Sequence, residues 1–417
     1  MEKVIKKGKR CGEVILPSSK SAAHRALICA ALTKGENKVV VKGISKDILA
    51  TASCLNALFN NVKEVEDGFL ISSPVKIIKN TVELFCGESG TTLRLILPLV
   101  GVFGIKAVFC LEGRLQERPI DDLASILVLH GMSIIKEGNK IKVGGKLSGG
   151  EYQIKGDISS QYISALLFSL PLIEGENTLK IIGDIKSKSY IEMTKEALSL
   201  SGVDYKQKEN VYRINGKCEY SFPAVFTVEA DWSAASAFAF MGAVSKSGVT
   251  LKGLSLNSGQ GDKKIIDILE KMGAIVSAED NDITIKSGKL APVKLNADEI
   301  IDAVPTLAAF LSGVKGKSEI TGCKRLKYKE SNRLLSTTSM LKHLGADITS
   351  TDDTIFINGK EEITGGKTTV FSDHRIAFAA AVAALFSKED VLIDDAECVK
   401  KSYVDFWKDF ESLKVEK

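Results

Sequence analysis

An internal repeat of about 70 residues is the feature that most constrains how this chain folds, because such a period indicates several copies of one folding unit. Five runs rich in β-branched residues each end in a glycine and a short loop. These glycines, spaced by 70, 70, 70 and 69 residues, are Gly43, Gly113, Gly183, Gly253 and Gly322. A sixth run, around Asp394, continues the series without the glycine. The pattern predicts six similar units.

Within each unit the hydrophobic periodicity predicts a strand, a loop, a helix and a hairpin, and a second helix rich in small residues completes the unit. Each second helix follows a Ser or an Asp, which are strong N-cap residues. These positions, spaced by 70 to 72 residues, are Ser18, Ser89, Ser159, Asp231, Asp302 and Asp373. Capping of buried helices is one explanation for each of them.

Four cations lie in or near the first turns of these helices, where the helix dipole disfavours positive charge. They are Lys20, Arg25, Arg94 and Arg375. Helix N-termini bind anions through their free N–H groups, and Lys and Arg strengthen such sites. The combination predicts a binding site for small polyanionic molecules.

The chain is longer than the roughly 250 to 300 residues at which a single core stops growing. Six units divide naturally as three and three. Because the first strand precedes Ser18 and the fourth small-residue helix begins near Asp231, we predict a chain that starts in one domain, builds the other and returns. The predicted domains are residues 1–17 with 230–417, and residues 18–229, with the active site in the cleft between them.

Composition argues against several other classes of protein. A formal net charge of +4 lacks the strong basic field of a dedicated nucleic-acid binder. The apolar runs fall short of the roughly 18 residues of a membrane span, and the basic N-terminus does not read as a signal peptide. Eight scattered cysteines and four separated histidines predict neither a disulfide framework nor a metal site. We expect a cytoplasmic protein with free thiols.

Nine segments, in this order, carry a family resemblance: LPSSKSAAHRAL (16–27), GESGTTLR (87–94), LQERPIDDL (115–123), GDISSQYISALL (156–167), KSKSYIEMT (186–194), EIIDAVPT (299–306), RLKYKESNRL (325–334), SDHRIAF (372–378) and CVKKSYVDFW (398–407). Over essentially its whole length the sequence resembles the 5-enolpyruvylshikimate-3-phosphate synthase (3-phosphoshikimate 1-carboxyvinyltransferase) family of enolpyruvyl transferases. The resemblance implies an α/β fold, a two-domain inverted α/β prism in which each domain has three repeated α/β units with helices inside and sheets outside.

The resemblance also implies a reaction of the shikimate pathway, which leads to chorismate and the aromatic amino acids. The enolpyruvyl (carboxyvinyl) group of phosphoenolpyruvate moves to the 5-hydroxyl of shikimate 3-phosphate, and phosphate leaves, by addition and elimination through a tetrahedral intermediate. The expected partners are these two small molecules, without cofactor, metal, nucleic acid or membrane, and the expected state is a monomer. Such chemistry needs several cations, a carboxylate at the attacking hydroxyl, an acid that reaches the methylene carbon, and domain closure that excludes water.

Residue roles follow from the resemblance position by position. The implied catalytic residues are Asp302, as acceptor of the hydroxyl proton, Glu330, as proton donor or relay, and Lys20, which touches both substrates. The implied shikimate 3-phosphate contacts are Lys20, Ser21, Arg25, Ser159, Ser160, Gln161, Ser187, Tyr190, Asp302 and Lys329. The implied phosphoenolpyruvate contacts are Lys20, Gly90, Thr91, Arg118, Gln161, Arg333, Arg375 and Lys401.

Other interpretations stay open at this point. The serines and aspartates also fit ordinary N-caps, and Glu330 with Arg333 also fits a charge pair on a solvated helix. The nearest rival family transfers the same group to UDP-N-acetylglucosamine, but it has Lys-Asn where this chain has Lys20-Ser21 and a loop cysteine that is absent between Gly113 and Pro119. A third possibility is an anion-binding paralogue without catalysis.

Overall fold

A computed structural model describes residues 1–74 and 81–416 of the chain. Its contacts divide the chain into two compact units. Unit 1 consists of Met1–Ser19 and Glu229–Lys417, and unit 2 is Lys20–Val228. The sequence had placed these boundaries at 17/18 and 229/230.

The described residues form twelve α-helices, most of which are two to four turns long. In chain order they are α1 Lys20–Leu32, α2 Lys46–Phe59, α3 Gly90–Val102, α4 Asp121–Leu129, α5 Ser160–Ser169, α6 Lys188–Leu200, α7 Trp232–Val244, α8 Ile265–Met272, α9 Val304–Ser312, α10 Arg333–His343, α11 His374–Ala383 and α12 Phe406–Ser412. Short 3-10 helices lie at Gly113–Glu117, Leu170–Leu172, Gly261–Lys264, Lys324–Tyr328, Ala384–Phe386 and Glu397–Lys401.

Twenty-four strands are found in the same described part of the chain. They are β1 Lys3–Ile5, β2 Arg10–Ile15, β3 Asn37–Val40, β4 Val62–Val65, β5 Gly68–Ile71, β6 Val82–Gly87, β7 Ala107–Leu111, β8 Met132–Glu137, β9 Lys140–Gly145, β10 Glu151–Lys155, β11 Glu176–Ile182, β12 Tyr205–Lys208, β13 Val211–Asn215, β14 Val225–Thr227, β15 Val249–Lys252, β16 Ile275–Glu279, β17 Asp282–Lys286, β18 Lys294–Asn296, β19 Gly316–Thr321, β20 Ile348–Ser350, β21 Ile355–Gly359, β22 Gly366–Thr368, β23 Val391–Ile393 and β24 Lys414–Val415.

The strands form six sheets that repeat one topology, in which two parallel strands are extended by an antiparallel hairpin. In unit 2 the strand orders are β14-β3-β5-β4, β6-β7-β9-β8 and β10-β11-β13-β12. In unit 1 they are β16-β17-β15-β2-β24, β18-β19-β21-β20 and β1-β23-β22. In the last sheet β1 replaces the hairpin, pairing antiparallel to β23.

Two of these parallel pairs join distant parts of the chain. In unit 1, β2 runs parallel to β15, more than two hundred residues later. In unit 2, β14 returns to lie parallel to β3. The segment that forms unit 2 is therefore inserted between two parts of unit 1. Pairing of β3 with β14 joins the two ends of this segment, and pairing of β2 with β15 joins the parts of unit 1 on either side of it.

The repeated glycines follow β3, β7, β11, β15 and β19, and all five have a positive φ between 52° and 83°. This left-handed conformation is strained for other residues and easy for glycine, which explains why glycine recurs at the same point of each 70-residue repeat. In the sixth of the sequence repeats, the loop that follows β23 has Asp394 where the others have glycine. The side chain of Asp394 accepts a hydrogen bond from the backbone N–H of Val370 at 2.9 Å.

Unit 1 and unit 2 each have their own hydrophobic core, formed around the small-residue helices. Every residue of α11 is buried, as is all of α7 except Ser233. Strands such as β10 alternate between buried and exposed residues, so one face of their sheet is exposed. The α/β class predicted from the sequence is confirmed. In the described residues no helix combines the length and apolarity that crossing a bilayer requires.

Candidate active site

The predicted site residues fall into two groups, one in each unit, and the members of each group lie at helix starts or in the loops and 3-10 helices beside them. The group in unit 2, called the Lys20 cluster, comprises Lys20, Ser21, Arg25, Gly90, Thr91, Arg118, Ser159, Ser160, Gln161, Ser187 and Tyr190. The group in unit 1, called the Asp302 cluster, comprises Asp302, Lys329, Glu330, Arg333, Arg375 and Lys401.

Side-chain contacts hold the N-terminal halves of α2, α3 and α5 of unit 2 together. The hydroxyl of Thr51 on α2 lies 2.6 Å from that of Thr92 on α3, which donates to Ser89 Oγ at 2.8 Å. Gln161 at the start of α5 donates from Nε2 to Thr91 Oγ1 on α3 at 2.8 Å. The helix starts of α2, α3 and α5 therefore present their amide ends to one region, as an anion site requires.

Lys20 is the first residue of α1 and forms an ion pair with Asp47 in the first turn of α2. The Nζ to Oδ2 distance is 2.8 Å, and the side chains are only 15% and 6% exposed. This arrangement differs from the exposed cation of an ordinary amphipathic helix. Asp47 is a residue that the sequence analysis missed, because an acidic residue in a first helical turn is an ordinary complement to the helix dipole.

Arg94 and Arg118 bring two guanidinium groups to the starts of α3 and α5. Arg94 donates to Gln161 Oε1 at 2.7 Å and to the carbonyl of Pro119 at 2.9 Å. Arg118 lies against Gly90, because a Cβ built on this glycine would lie 2.8 Å from the guanidinium carbon. The absence of a side chain at Gly90 therefore makes room for the Arg118 guanidinium over the start of α3.

Arg25 is buried and ties α1 to α6. Its guanidinium donates to the carbonyls of Ser21 and Tyr190, both at 2.7 Å, and to Thr194 Oγ1 at 2.9 Å. Burial lowers the pKa of Arg25 to about 10. In this structure the guanidinium fixes the first turns that carry Ser21 and Tyr190, so its predicted contact with a substrate phosphate stays a prediction.

Ser187 precedes α6 and holds an uncommon backbone conformation, with φ 51° and ψ 53°, while being 1% exposed. A left-handed, buried, non-glycine residue is strained by about 1 to 3 kcal/mol and is typical of functional sites. The conformation fixes the direction in which the chain enters α6, beside Tyr190.

Four of the six predicted N-caps have side chains that accept a hydrogen bond from their own helix: Ser89, Ser159, Asp231 and Asp373. Capping, one explanation for all six, fits these four, and the other two each lie two residues before the first residue of their helix. Ser18 lies two residues before α1, in a bridge with Ala230. Asp302 lies two residues before α9, whose N-cap is Ala303. The carboxylate of Asp302 therefore lies outside the capping position.

Arg333 is the centre of the Asp302 cluster and is 1% exposed. Its guanidinium donates to Asp302 Oδ1 at 2.8 Å, to Glu330 Oε2 at 2.6 Å and to Asp373 Oδ2 at 2.8 Å. Glu330 and Arg333 do form an i,i+3 pair, but it is buried, so the alternative of a solvated helix face is wrong. Asp373, which the sequence analysis treated only as an N-cap, also accepts from Ser331.

Asp302 receives a second cation, since Lys329 Nζ donates to its Oδ1 at 2.7 Å. Burial by itself would raise the pKa of Asp302, but the charges of Lys329, Arg333 and Arg375 together hold it well below its ordinary value. Burial lowers the pKa of Lys329, against the opposing effect of Asp302. Asp302 is therefore ionised at neutral pH and surrounded by cations.

Two further cations complete this cluster, and both are buried. Lys401 Nζ lies 3.8 Å from Glu330 Oε1. Arg375, the second residue of α11, donates to the carbonyl of Ser233 on α7 at 2.8 Å. Four cations thus converge on one region of unit 1, where they suit bidentate or multiple contacts with carboxylates and phosphates.

Comparisons with known proteins agree on one family. The family model described as EPSP synthase (3-phosphoshikimate 1-carboxyvinyltransferase) matches residues 5–410. Proteins named 3-phosphoshikimate 1-carboxyvinyltransferase from Clostridium kluyveri and Brachyspira hyodysenteriae are each 36% identical to the chain. The alignments cover 96% of this chain and 95% of the first protein, and 99% of both chains for the second.

Solved structures show the same fold. EPSP synthase from Acinetobacter baumannii superposes with a TM-score of 0.82 at 24% identity, covering 99% of this chain and 98% of that chain. An enolpyruvyl transferase from Streptomyces tendae gives a TM-score of 0.76 at 16% identity, covering 100% and 97%. At these identities the superpositions support a shared fold and nothing beyond it.

Proposed function

The chain belongs to the EPSP synthase (3-phosphoshikimate 1-carboxyvinyltransferase) family, and from this premise we propose that it transfers the enolpyruvyl group of phosphoenolpyruvate to the 5-hydroxyl of shikimate 3-phosphate. Phosphate is the second product. The observation that carries the proposal is the match over residues 5–410, which includes every residue of both clusters. We further propose that the protein acts in the cytoplasm as a monomer.

The two clusters have the charge that these substrates need. Phosphoenolpyruvate and shikimate 3-phosphate together carry two phosphates and two carboxylates, and each cluster offers Lys and Arg side chains beside helix N-termini. Such groups bind phosphate and carboxylate through charge-assisted hydrogen bonds. The proposal requires both clusters to act on the same pair of substrates.

Asp302 is the proposed acceptor of the proton that leaves the 5-hydroxyl. In the free protein the cations Lys329, Arg333 and Arg375 stabilise its ionised form and so weaken it as a base. Substrate anions would compensate those same cations and make Asp302 more basic. The base is therefore strengthened when the substrates are bound, which couples proton removal to binding.

Glu330 and Lys20 are the proposed partners of Asp302 in proton transfer. Glu330 accepts from Arg333 at 2.6 Å and lies 3.8 Å from Lys401. Both cations stabilise its carboxylate, so donation of a proton to the methylene carbon requires that substrate anions offset them. Lys20, paired with Asp47 at 2.8 Å, is held at the start of α1 and is proposed to bridge both substrates.

The assay that tests the proposal is phosphate release from phosphoenolpyruvate, measured with and without shikimate 3-phosphate. We expect release that depends on shikimate 3-phosphate, together with a carboxyvinyl ether product seen by mass spectrometry. Release that depends on UDP-N-acetylglucosamine would instead assign the rival transfer. Binding of phosphoenolpyruvate without release in either case would assign an anion-binding protein.

Gly90→Ala tests the contact between the start of α3 and Arg118. The added methyl would lie 2.8 Å from the guanidinium carbon, so the end of this flexible side chain must move while the fold is kept. We expect the KM for phosphoenolpyruvate to rise by about 10-fold, because displacements near 1 Å of a positioning group cost up to about 10²-fold. Steady-state kinetics check this.

The matched control for this variant is Gly144→Ala on β9. A Cβ at Gly144 would lie 3.3 Å from Ser133 Oγ, in a strand of the same unit that carries no residue of the Lys20 cluster. This variant is expected to keep the KM of the wild type. Equal KM values for Gly90→Ala and wild type would show that Arg118 does not bind phosphoenolpyruvate.

A further inference from the structure

A buried carboxylate that belongs to neither the Lys20 cluster nor the Asp302 cluster lies at the start of α7. Asp262 belongs to the 3-10 helix Gly261–Lys264 and is 3% exposed. Its Oδ2 accepts a hydrogen bond from the hydroxyl of Ser233, the second residue of α7. Its Oδ1 has no hydrogen-bond partner among the residues that the structure describes. A buried charged oxygen without a partner is costly, so the position calls for an explanation.

Ser233 connects this carboxylate to the proposed phosphoenolpyruvate contact Arg375. The Ser233 hydroxyl donates to Asp262, while the Ser233 carbonyl accepts from Arg375 Nη1 at 2.8 Å. One residue of α7 therefore contacts both the carboxylate and the guanidinium. Any change in the charge of Asp262 acts on Arg375 through this short connection and through direct electrostatic attraction.

Among the described residues, three charged groups have the largest electrostatic effects on Asp262. Asp231 lies at the start of α7, Asp302 precedes α9 and Arg375 lies on α11. The helix α8, which follows directly, turns the apolar residues Ile265, Ile266, Leu269 and Met272 inward. Burial, the repulsion from Asp302 and the smaller repulsion from Asp231 raise the pKa of Asp262 to about 7, against the lowering effects of Ser233 and Arg375. The free protein thus holds a partly protonated carboxylate at neutral pH.

We propose that Asp262 is a positioning residue for Arg375 and takes up a proton when phosphoenolpyruvate binds. The inference rests on the proposed function, since it takes Arg375 as a contact of this substrate. An anion on Arg375 offsets the positive charge that lowers the pKa of Asp262 and adds repulsion of like charges. Conversely, an ionised Asp262 competes with the substrate for Arg375. Binding of the anion and protonation of Asp262 therefore favour each other.

The test is the KM for phosphoenolpyruvate between pH 6 and 9 in the wild type and in Asp262→Asn, which keeps the shape of the neutral acid. Ionisation of the substrate affects both proteins equally, so the ratio of the two KM values is the readout. We expect the ratio of wild type to variant to be constant near pH 6 and to rise above pH 7, by up to about tenfold per unit for one linked proton.

Two further variants sharpen the result. Ser233→Ala removes the hydroxyl that stabilises the ionised Asp262 but keeps the carbonyl for Arg375, so the rise in KM should begin at a higher pH. Asp267→Asn, an exposed acidic residue on α8, is the matched control and should follow the wild type. Circular dichroism checks that Asp262→Asn is folded, and Ser233→Ala supplies the test if it is not.

A flat KM ratio across this pH range, or a Ser233→Ala profile that coincides with the wild type, would overturn the inference while turnover still supports the proposed function. Absence of phosphate release that depends on shikimate 3-phosphate in the wild type, at every pH, would overturn the proposed function and this inference with it. The two failures are thus distinguished by the activity of the wild-type protein.

Discussion

Asp302→Asn is expected to lower kcat for phosphate release by about 10² to 10⁴-fold, the range typical of losing a general base. The carboxamide has nearly the same shape as the carboxylate, but it cannot take up the hydroxyl proton. It also leaves Lys329 and Arg333 without one anionic partner, so binding of anionic substrates should be kept or strengthened. Pre-steady-state and steady-state kinetics, with calorimetric titration of shikimate 3-phosphate, separate the two effects.

Asp298→Asn is the matched control for this variant, because Asp298 is also paired with an arginine of unit 1. Its Oδ1 lies 3.6 Å from Arg325 Nη2. This control should keep kcat within about threefold of the wild type, as expected for a partly exposed pair outside the reaction. If Asp302→Asn turned over at the rate of the control, Asp302 would be excluded as the proton acceptor.

The repeat explains how much of the fold the sequence predicted. Recurring glycines with positive φ, and recurring Ser and Asp before buried helices, are local requirements of the backbone and therefore leave a regular trace in the sequence. The family resemblance drawn from nine segments is confirmed by the match over residues 5–410. The α/β class could be predicted because each of the six repeats shows the same pattern of strand and helix periodicity.

The partners of the site residues could not be predicted in the same way. Asp47 and Asp262 are separated in sequence from the residues that they contact, and both stand at helix starts where an acidic residue is ordinary. Capping of its helix was one explanation for Asp302, but its carboxylate binds Lys329 and Arg333. Which carboxylate caps and which pairs with a cation depends on tertiary packing, and short sequence motifs do not record it.

Arg333→Met is expected to destabilise unit 1 by about 3 to 5 kcal/mol, the cost of breaking a buried ion pair by removing one partner. The guanidinium binds Asp302, Glu330 and Asp373, and the last of these is fully buried. Both tryptophans of the chain, Trp232 and Trp407, lie in unit 1, so urea unfolding followed by tryptophan fluorescence reports this unit selectively.

The pH dependence of this loss has a definite sign. In the wild type the cations hold the pKa of Asp302 well below its ordinary value, so its contribution to the free energy of unfolding is present above about pH 4 and is lost as pH falls further. Without Arg333 one of the cations that lower the pKa of Asp302 is gone, so Asp302 takes up its proton at a higher pH in the folded variant than in the folded wild type. The difference in the free energy of unfolding between wild type and variant should therefore shrink as pH falls through that pKa.

Lys367→Met is the control for the same measurement, because it removes a cation from an exposed ion pair of unit 1. Lys367 Nζ lies 3.2 Å from Glu2 Oε1, with both side chains more than half exposed. Solvent and salt screen such a pair, so the free energy of unfolding should change by less than about 1 kcal/mol and show little dependence on pH. If Arg333→Met behaved like this control, burial of the three carboxylates would not depend on their ion pairs with Arg333. The buried ion pairs of Arg333 would then not be what keeps Asp302 ionised.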